Sequence, residues 1–517
     1  MRKGCPVIAY GDIRQAGRTL RDPVRSPCPI AAGWLTAEPG RAVPAGTELP
    51  HPALAEQKRV AMNTAYCPRP AGKLHIEALP HAGPEERFFV LEPSAPSWAV
   101  INRDAMELLR LCDGTRSLAD IASCIGDSGT DPAEALQTTV SFIGEMVSNR
   151  ILQTGDEKQP PRENRFQGIA LEITGKCNLR CRHCYLAAGR SAQNELTGRE
   201  IRALVDEVAD NGGFSVAVGG GEPLLRPDWL EIVNHALAAG LLVSVGTNAT
   251  LIDERLAATM ADLPVKIQIS LDGATEAVHD SIRGKGSYRA AVRGIDALVE
   301  RGKSGDLVIA FTPMRPNHHE VEAIIWFTRE RGIPVVQYPP LSRSGRATEQ
   351  WEELCLDRDQ TVAFWETVRI RSAELQGEMD LLADCFSMDI LQAGRPYQCS
   401  IGTQFRIDPQ GNVYPCQCFH HGTEFLLGNI RSCSLGSMVN GDRIRRIREL
   451  SRKRATMITG CRTCRWQGYC GGGCMGSAYE LTGDVLTSPA CNVRRQWIET
   501  RFASILEQAS GSGMSGA

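Results

Sequence analysis

The chain has 517 residues, a net charge of −3, 42% hydrophobic and 23% charged residues, which suits an ordinary globular protein of two to four domains. So balanced a charge excludes bulk attraction to nucleic acid or an anionic membrane, and there is no run of about 18 apolar residues to span a bilayer. With no apolar secretory stretch behind Arg2 and Lys3, the chain is expected to be cytoplasmic, with no membrane and no nucleic-acid partner.

Residues 1–85 are rich in Pro, Gly, Ala and Arg without helical or strand period, which predicts a disordered extension. Residues 86–156 predict a small independent domain: strands over 88–91 and 98–101, then a helix capped by Asn102 with Ala105, Leu108, Leu109 and Leu111 at helical spacing. The Asp113-Gly114 turn ends it, and two further helices carry Leu118, Ile121, Ala122 and then Leu136, Val140, Ile143, Val147. Two strands with three short helices give a winged-helix-like shape, and Pro160-Pro161 marks a linker.

Residues 167–345 alternate strands, at 169–173, 214–218, 241–245, 265–271, 307–311 and 335–338, with stretches of helical period. Six such units predict an α/β fold with a parallel sheet curled into a partial (β/α)6 TIM-like barrel. Its chemistry belongs at the C-terminal ends of the strands. Residues 346–395 read as a helical connector, 396–495 as a small cysteine-rich domain, and 496–517 as a C-terminal tail.

Nineteen cysteines exceed what a reduced cytosolic protein uses for packing, and disulfides are disfavoured there, which leaves metal ligation. Cys5, Cys28, Cys67, Cys112, Cys124, Cys355, Cys385, Cys418 and Cys433 are scattered and read mostly as core or surface thiols. The other ten are patterned. Cys177, Cys181 and Cys184 form C-x3-C-x2-C directly after the first barrel strand. Three thiolates there can hold three irons of a 4Fe–4S cube and leave the fourth open to a substrate. S-adenosylmethionine can chelate that iron through its amine and carboxylate, and one electron then cleaves it to a deoxyadenosyl radical. A zinc site would lack a ligand.

The segment Cys177-Asn178-Leu179-Arg180-Cys181-Arg182-His183-Cys184-Tyr185 resembles the radical S-adenosylmethionine superfamily. The resemblance implies that His183, at the motif's usual aromatic position, contacts adenine through its backbone. Gly220-Gly221-Glu222-Pro223, after the second strand, would receive the cofactor's amino group. The glycines permit close backbone approach and Glu222 suits an ammonium. By the same resemblance Asn248 and Ser270 would meet the ribose or carboxylate, and Arg283 would neutralise the carboxylate.

A second constellation runs Cys399, Gly411, Cys416, then Cys461-x2-Cys464-x5-Cys470-x3-Cys474, then Cys491. It resembles the SPASM domain of radical enzymes with auxiliary clusters, against the alternative of a zinc ribbon. Asp408-Pro409-Gln410-Gly411 reads as the hairpin turn joining its first two cysteines. The resemblance implies one or two auxiliary clusters, with two 4Fe–4S expected: a distal one on Cys461, Cys464, Cys470 and Cys491, and a proximal one on Cys399, Cys416 and Cys474. The proximal fourth ligand is left open between Cys385 and an open iron. Gln417 stands where sulfatase-maturing relatives carry an Asp base, and Gln cannot accept a proton, which disfavours formylglycine formation.

Residues 86–156 resemble the PqqD-like peptide-recognition fold through Trp98-Ala99-Val100-Ile101 and Leu111-Cys112-Asp113-Gly114, which implies that a precursor peptide's leader adds there as a strand. A DNA-binding winged helix is the alternative, but residues 103–150 hold four Arg and no Lys against eight acids, a poor match to phosphate. The basic stretch 443–454 carries Ile444, Ile447 and Leu450 at amphipathic spacing and reads as a solvated helix face, and His420-His421 as a loop pair. Three functions compete: a maturase of ribosomally made peptides, with reduced flavodoxin or ferredoxin as electron donor; a tetrapyrrole-modifying enzyme, through Gly221-Glu222-Pro223-Leu224-Leu225-Arg226-Pro227-Asp228 and His279-Asp280-Ser281-Ile282-Arg283-Gly284; and a non-catalytic iron–sulfur or DNA-binding regulator. The peptide-recognition resemblance favours the first.

Overall fold

The computed structural model describes residues 66–72, 74–78, 86–92, 97–126, 131–153, 165–383, 399–420 and 422–511. The Pro160-Pro161 linker, Cys385, His421 and residues 1–65 lie outside the described residues.

Near the N-terminus, β2 (His75–Ala78), β3 (Arg87–Glu92) and β4 (Ser97–Asn102) form an antiparallel sheet, with Val90 opposite both Ile76 and Ala99. Asn102 caps the helix Arg103–Leu111 by accepting from the Ala105 amide at 2.9 Å. The helices Leu118–Gly126 and Pro132–Ser148 follow. β5 (Leu152–Gln153) then pairs back onto β1 (Arg69–Pro70). β1 and β2 correct the expectation of a disordered extension through residue 85. They are short, and every residue of β2 is exposed, so no apolar period marked them. Backbone pairing holds them, and Tyr66 and Leu74 pack on the same core.

The pleat sends alternate residues of this sheet to opposite faces. Val90, Ala99 and Ile101 meet Met106, Leu109, Ile121 and Ile143 from the helices. Phe89, Leu91 and Val100 pack instead on Trp466, Tyr469, Ile498 and Phe502 near the C-terminus. Trp466 stacks on Phe502 at 4.8 Å. The last two of these C-terminal residues lie on the helix Cys491–Gly511, so residues 496–511 are helix and not a loose tail. Their apolar partners are distant in sequence, which hid the element from a local reading.

The main sheet runs β12-β11-β10-β9-β8-β7-β6-β13-β14-β15. The six expected strands are β6 (Gly168–Thr174), β7 (Ser215–Gly220), β8 (Leu242–Thr247), β9 (Lys266–Ser270), β10 (Leu307–Ala310) and β11 (Val335–Gln337), all parallel. The sheet reaches further than expected at both ends. β12 (Asp380–Leu382), inside the stretch read as a helical connector, adds parallel to β11. β13 (Gln404–Ile407), from the cysteine-rich region, adds parallel to β6 and turns through Asp408–Gly411 into β14 (Asn412–Tyr414) and then β15 (Gly428–Asn429). Gly411 adopts φ +89° in that turn.

One set of pleat positions, among them Ile169, Leu171, Val216, Val243, Ile267, Ile309 and Phe405, forms the main core. The alternate set includes Glu172, Gly219, Ser244, Gly246, Gln268, Ser270 and Gln337, small or polar residues that leave room at the strand ends. Among the described residues no helix is long and apolar enough to cross a membrane.

Candidate cluster and cofactor sites

Cys177, Cys181 and Cys184 lie on the loop leaving the C-terminal end of β6. The loop is clamped from two sides. From β7, Gly221 N–H donates to Thr174 O and Glu222 N–H to Lys176 O, both at 2.8 Å. A Cβ on Gly220, whose φ is +120°, would stand 2.5 Å from Thr174 O, and one on Gly221 would stand 2.2 Å from Lys176 O. The two glycines are therefore already demanded by the cysteine loop. From the other side, Arg346 Nε donates to Cys181 O at 2.8 Å and its amide to Cys184 O at 3.0 Å. Gly345, at φ +57°, packs so close that a Cβ would meet Cys184 O at 2.4 Å. Sequence reasoning missed this second clamp, since Ser344-Gly345-Arg346 carries no motif. Burial pushes the Cys177 thiol up to about 11, partly offset by the Leu179 N–H, with Cys181, Glu222 and Cys184 adding to the rise. The three thiols thus share one electrostatic neighbourhood.

Glu222 is fully buried. Its carboxylate accepts from Thr247 Oγ1 and the Asn248 amide at 2.8 Å and from the Leu224 amide at 3.2 Å. Burial raises it to about 7 against those donors. Glu222 fixes the ends of β7 and β8, while Pro223 opens a single 3-10 turn behind it. Asn248, so positioned, donates to Asn178 Oδ1 at 2.9 Å and lies 4.0 Å from Cys177 Sγ. Ser270 ends β9, half-buried. Arg283 has a counter-ion within the protein: its Nε donates to Asp272 Oδ2 at 2.6 Å, while Nη1 reaches to 3.9 Å from Cys181 Sγ. Asp272 is fully buried, accepts from the Thr312 amide at 2.9 Å, and stands 3.3 Å from His183 Nε2. Burial alone would raise its carboxyl, but Arg283 and His183 hold it below the usual carboxylate range. Burial likewise depresses His183 to about 4, so its ring is neutral, and its buried Nδ1 has no hydrogen-bond partner among the described residues.

The C-terminal thiols form two groups. Cys461, Cys464, Cys470 and Cys491 act on one another electrostatically, and Arg494 Nε donates to Cys470 Sγ at 3.2 Å. Cys399, Cys416 and Cys474 form the second group, joined by Cys418. Burial pushes Cys399 up to about 12. The Cys418 thiol donates to Cys474 and holds it down, to about 5. Between the groups, buried Arg454 donates to Gly473 O at 2.6 Å and to Val485 O at 2.5 Å. The basic helix Asp442–Met457 thus spends an arginine on internal support.

Thiolates in these numbers suit iron–sulfur clusters.

Residues 171–327 match the radical SAM superfamily, and residues 399–465 match the SPASM iron–sulfur cluster-binding domain. Over 337 residues the chain is 32% identical to the mycofactocin maturase MftC of Mycobacterium ulcerans, covering 62% of this chain and 86% of that protein. The chain belongs to the radical SAM superfamily. It is also 29% identical to an AdoMet-dependent heme synthase of Methanosarcina barkeri, over 63% of this chain and 96% of that one. The crystal structure of Streptococcus suis SuiB bound to S-adenosylmethionine shares the fold, with a TM-score of 0.53 and 15% identity over 77% of this chain and 95% of that chain. This radical SAM enzyme uses a 4Fe–4S cluster with S-adenosylmethionine and carries auxiliary iron–sulfur clusters.

Proposed function

We propose that this radical SAM enzyme modifies a ribosomally made precursor peptide, by crosslinking or another oxidation. The observation that carries the reading is the N-terminal sheet. Among the described residues its outer strand β2 pairs on one side, to β3, and exposes every residue, an edge onto which a leader can add as a further strand. The opposite face of the β3–β4 pair packs on the segment bearing the distal thiols, so a leader held there is delivered beside the auxiliary clusters. Similarity to a mycofactocin maturase supports the same reading, as does the fold shared with SuiB, which has been crystallised with its precursor peptide SuiA.

In this reading Cys177, Cys181 and Cys184 hold the radical-generating cluster. His183, Gly220, Gly221, Pro223, Asn248, Ser270 and Arg283 line the cofactor, with Glu222 and Asp272 positioning them. Bound there, the cluster and S-adenosylmethionine supply a deoxyadenosyl radical for hydrogen abstraction. Cys461, Cys464, Cys470 and Cys491 hold the distal cluster, and Cys399, Cys416 and Cys474 the proximal one. A reduced flavodoxin or ferredoxin supplies the electron. Gln417 donates to Gln404 Oε1 at 2.8 Å and offers no base, which speaks against formylglycine formation.

The second reading, a tetrapyrrole-modifying enzyme, is favoured by the 29% identity to a heme synthase. The test deletes residues 66–153 and measures deoxyadenosine release beside the mass change of a precursor encoded nearby. Peptide modification should stop while uncoupled cofactor cleavage persists. Full-rate modification without the module, or turnover of a porphyrin, would overturn the peptide reading.

A further inference from the structure

We propose that Cys418 is the fourth thiolate of the proximal auxiliary cluster, joining Cys399, Cys416 and Cys474. The inference rests on the assignment of the latter three to that cluster. Cys418 stands two residues after Cys416, outside the spacing that marks the other auxiliary cysteines, and was first read as a scattered thiol.

Three observations place it with the others. Its thiol shares an electrostatic neighbourhood with Cys416 and Cys474, and Cys399 interacts with those same two. Its backbone is locked beside Cys474. Gly476 follows Cys474 by two residues in the helix Met475–Thr482, and a Cβ there would stand 2.6 Å from both Cys418 Cβ and Cys418 O. A side chain at 476 would push the two thiols apart, so the glycine serves their approach. Finally, the intervening Gln417 is turned away to Gln404 on β13, and the turn closed by Phe419 N–H on Cys416 O folds the two cysteines of Cys416-Gln417-Cys418 together. Among the remaining described cysteines, Cys433 is exposed and near Met438, and Cys355 donates to Leu356 O.

Chemically, each thiol loses its proton as its sulfur joins an iron, and four thiolates complete a 4Fe–4S cube. Such a cube has no iron open to a side chain or amide of the substrate. Of the two roles available to an auxiliary cluster, peptide ligation and electron transfer, Cys418 selects electron transfer for the proximal site.

The test uses full-length protein with Cys177, Cys181 and Cys184 changed to Ala, reconstituted anaerobically so that only auxiliary clusters report. Cys418→Ala in this background should lose iron from a starting content of about eight per chain, or yield on oxidation the near-isotropic electron paramagnetic resonance signal of a three-iron cluster. Neither Cys385→Ala nor Cys433→Ala should do so. Because Cys418→Ala can fail to fold, the parent itself is probed with isotopically labelled cyanide by pulsed paramagnetic resonance. All auxiliary irons are capped in this proposal, so no cyanide coupling is expected until Cys418 is replaced, by Ala or by Ser. Cyanide binding to the parent, a three-iron signal from Cys385→Ala, or iron content and spectra of Cys418→Ala identical to the parent would each overturn the assignment. None of these readouts depends on the substrate, so a wrong peptide reading leaves them unchanged.

Discussion

The pair of Asp272 and Arg283 offers the sharpest test of the cofactor end of the sheet. Asp272 is fully buried and Arg283 nearly so, 2.6 Å apart, with His183 as a third partner. Removing one member leaves the other charge buried without compensation, at a cost of about 3–5 kcal/mol. Asp272→Asn keeps an acceptor for the Thr312 amide but turns an amide N–H2 toward the guanidinium. Arg283→Met strands the carboxylate. The double variant strands neither, so its loss should fall short of the sum by about 2 kcal/mol, the coupling of two groups in direct contact. Anaerobic urea unfolding of the four reconstituted proteins at equal iron loading, followed by tryptophan fluorescence, closes the cycle. If the two single losses add to within about 0.5 kcal/mol, Asp272 is not the counter-ion of Arg283.

Reconstituted protein should hold about 11–12 irons, and the Ala triple at Cys177, Cys181 and Cys184 should lose about four of them and all cofactor cleavage; iron analysis with a deoxyadenosine assay checks both. Gly345→Ala adds a Cβ 2.4 Å from Cys184 O at a positive φ, so it should drop up to about four irons while sparing the auxiliary set; an unchanged iron count would remove this clamp. Burial raises the Glu222 carboxyl in the folded protein from the usual 4.5 to about 7. The folded state therefore binds more protons in that window, and stability falls as pH rises through it, by about 3 kcal/mol. Glu222→Gln has no such term, so urea midpoints of variant and parent should move apart in favour of the variant between pH 5 and pH 8. Parallel profiles would refute the burial argument.

The six central strands were legible because each pairs a β-branched run with a following helical period, and β6 to β11 lie within a residue or two of where those runs predict. The ten patterned cysteines stood out in the sequence by their spacing. Cys418 did not, since its neighbour Cys474 is distant in the chain and only folding brings the two together. Asp272 was missed for the same reason: an acid after a strand has no signature until Arg283 and His183 face it. β12 and β2 are too short for any period, and β2 buries nothing. The helix Cys491–Gly511 owes its place to Phe89, Leu91 and Val100, roughly 400 residues upstream in a chain of 517. The partners of Glu222 were not legible either, because Thr247 and Asn248 reach it from the end of the next strand.

The pairing of β13 with β6 bears on how electrons travel. The loop of Cys177, Cys181 and Cys184 leaves β6, and the turn carrying Cys416 and Cys418 leaves the hairpin that β13 begins. The two sites are thus rooted in hydrogen-bonded neighbours, further pinned by the buried pair Glu172–Arg406 at 2.7 Å, with Arg406 reaching on to Phe419 O at 3.2 Å. Tunnelling decays steeply with separation, and a gap fixed by one continuous sheet does not breathe as a hinge between domains would. The separation of the two cysteine groups is then set by the sheet that roots them both rather than by a closing motion.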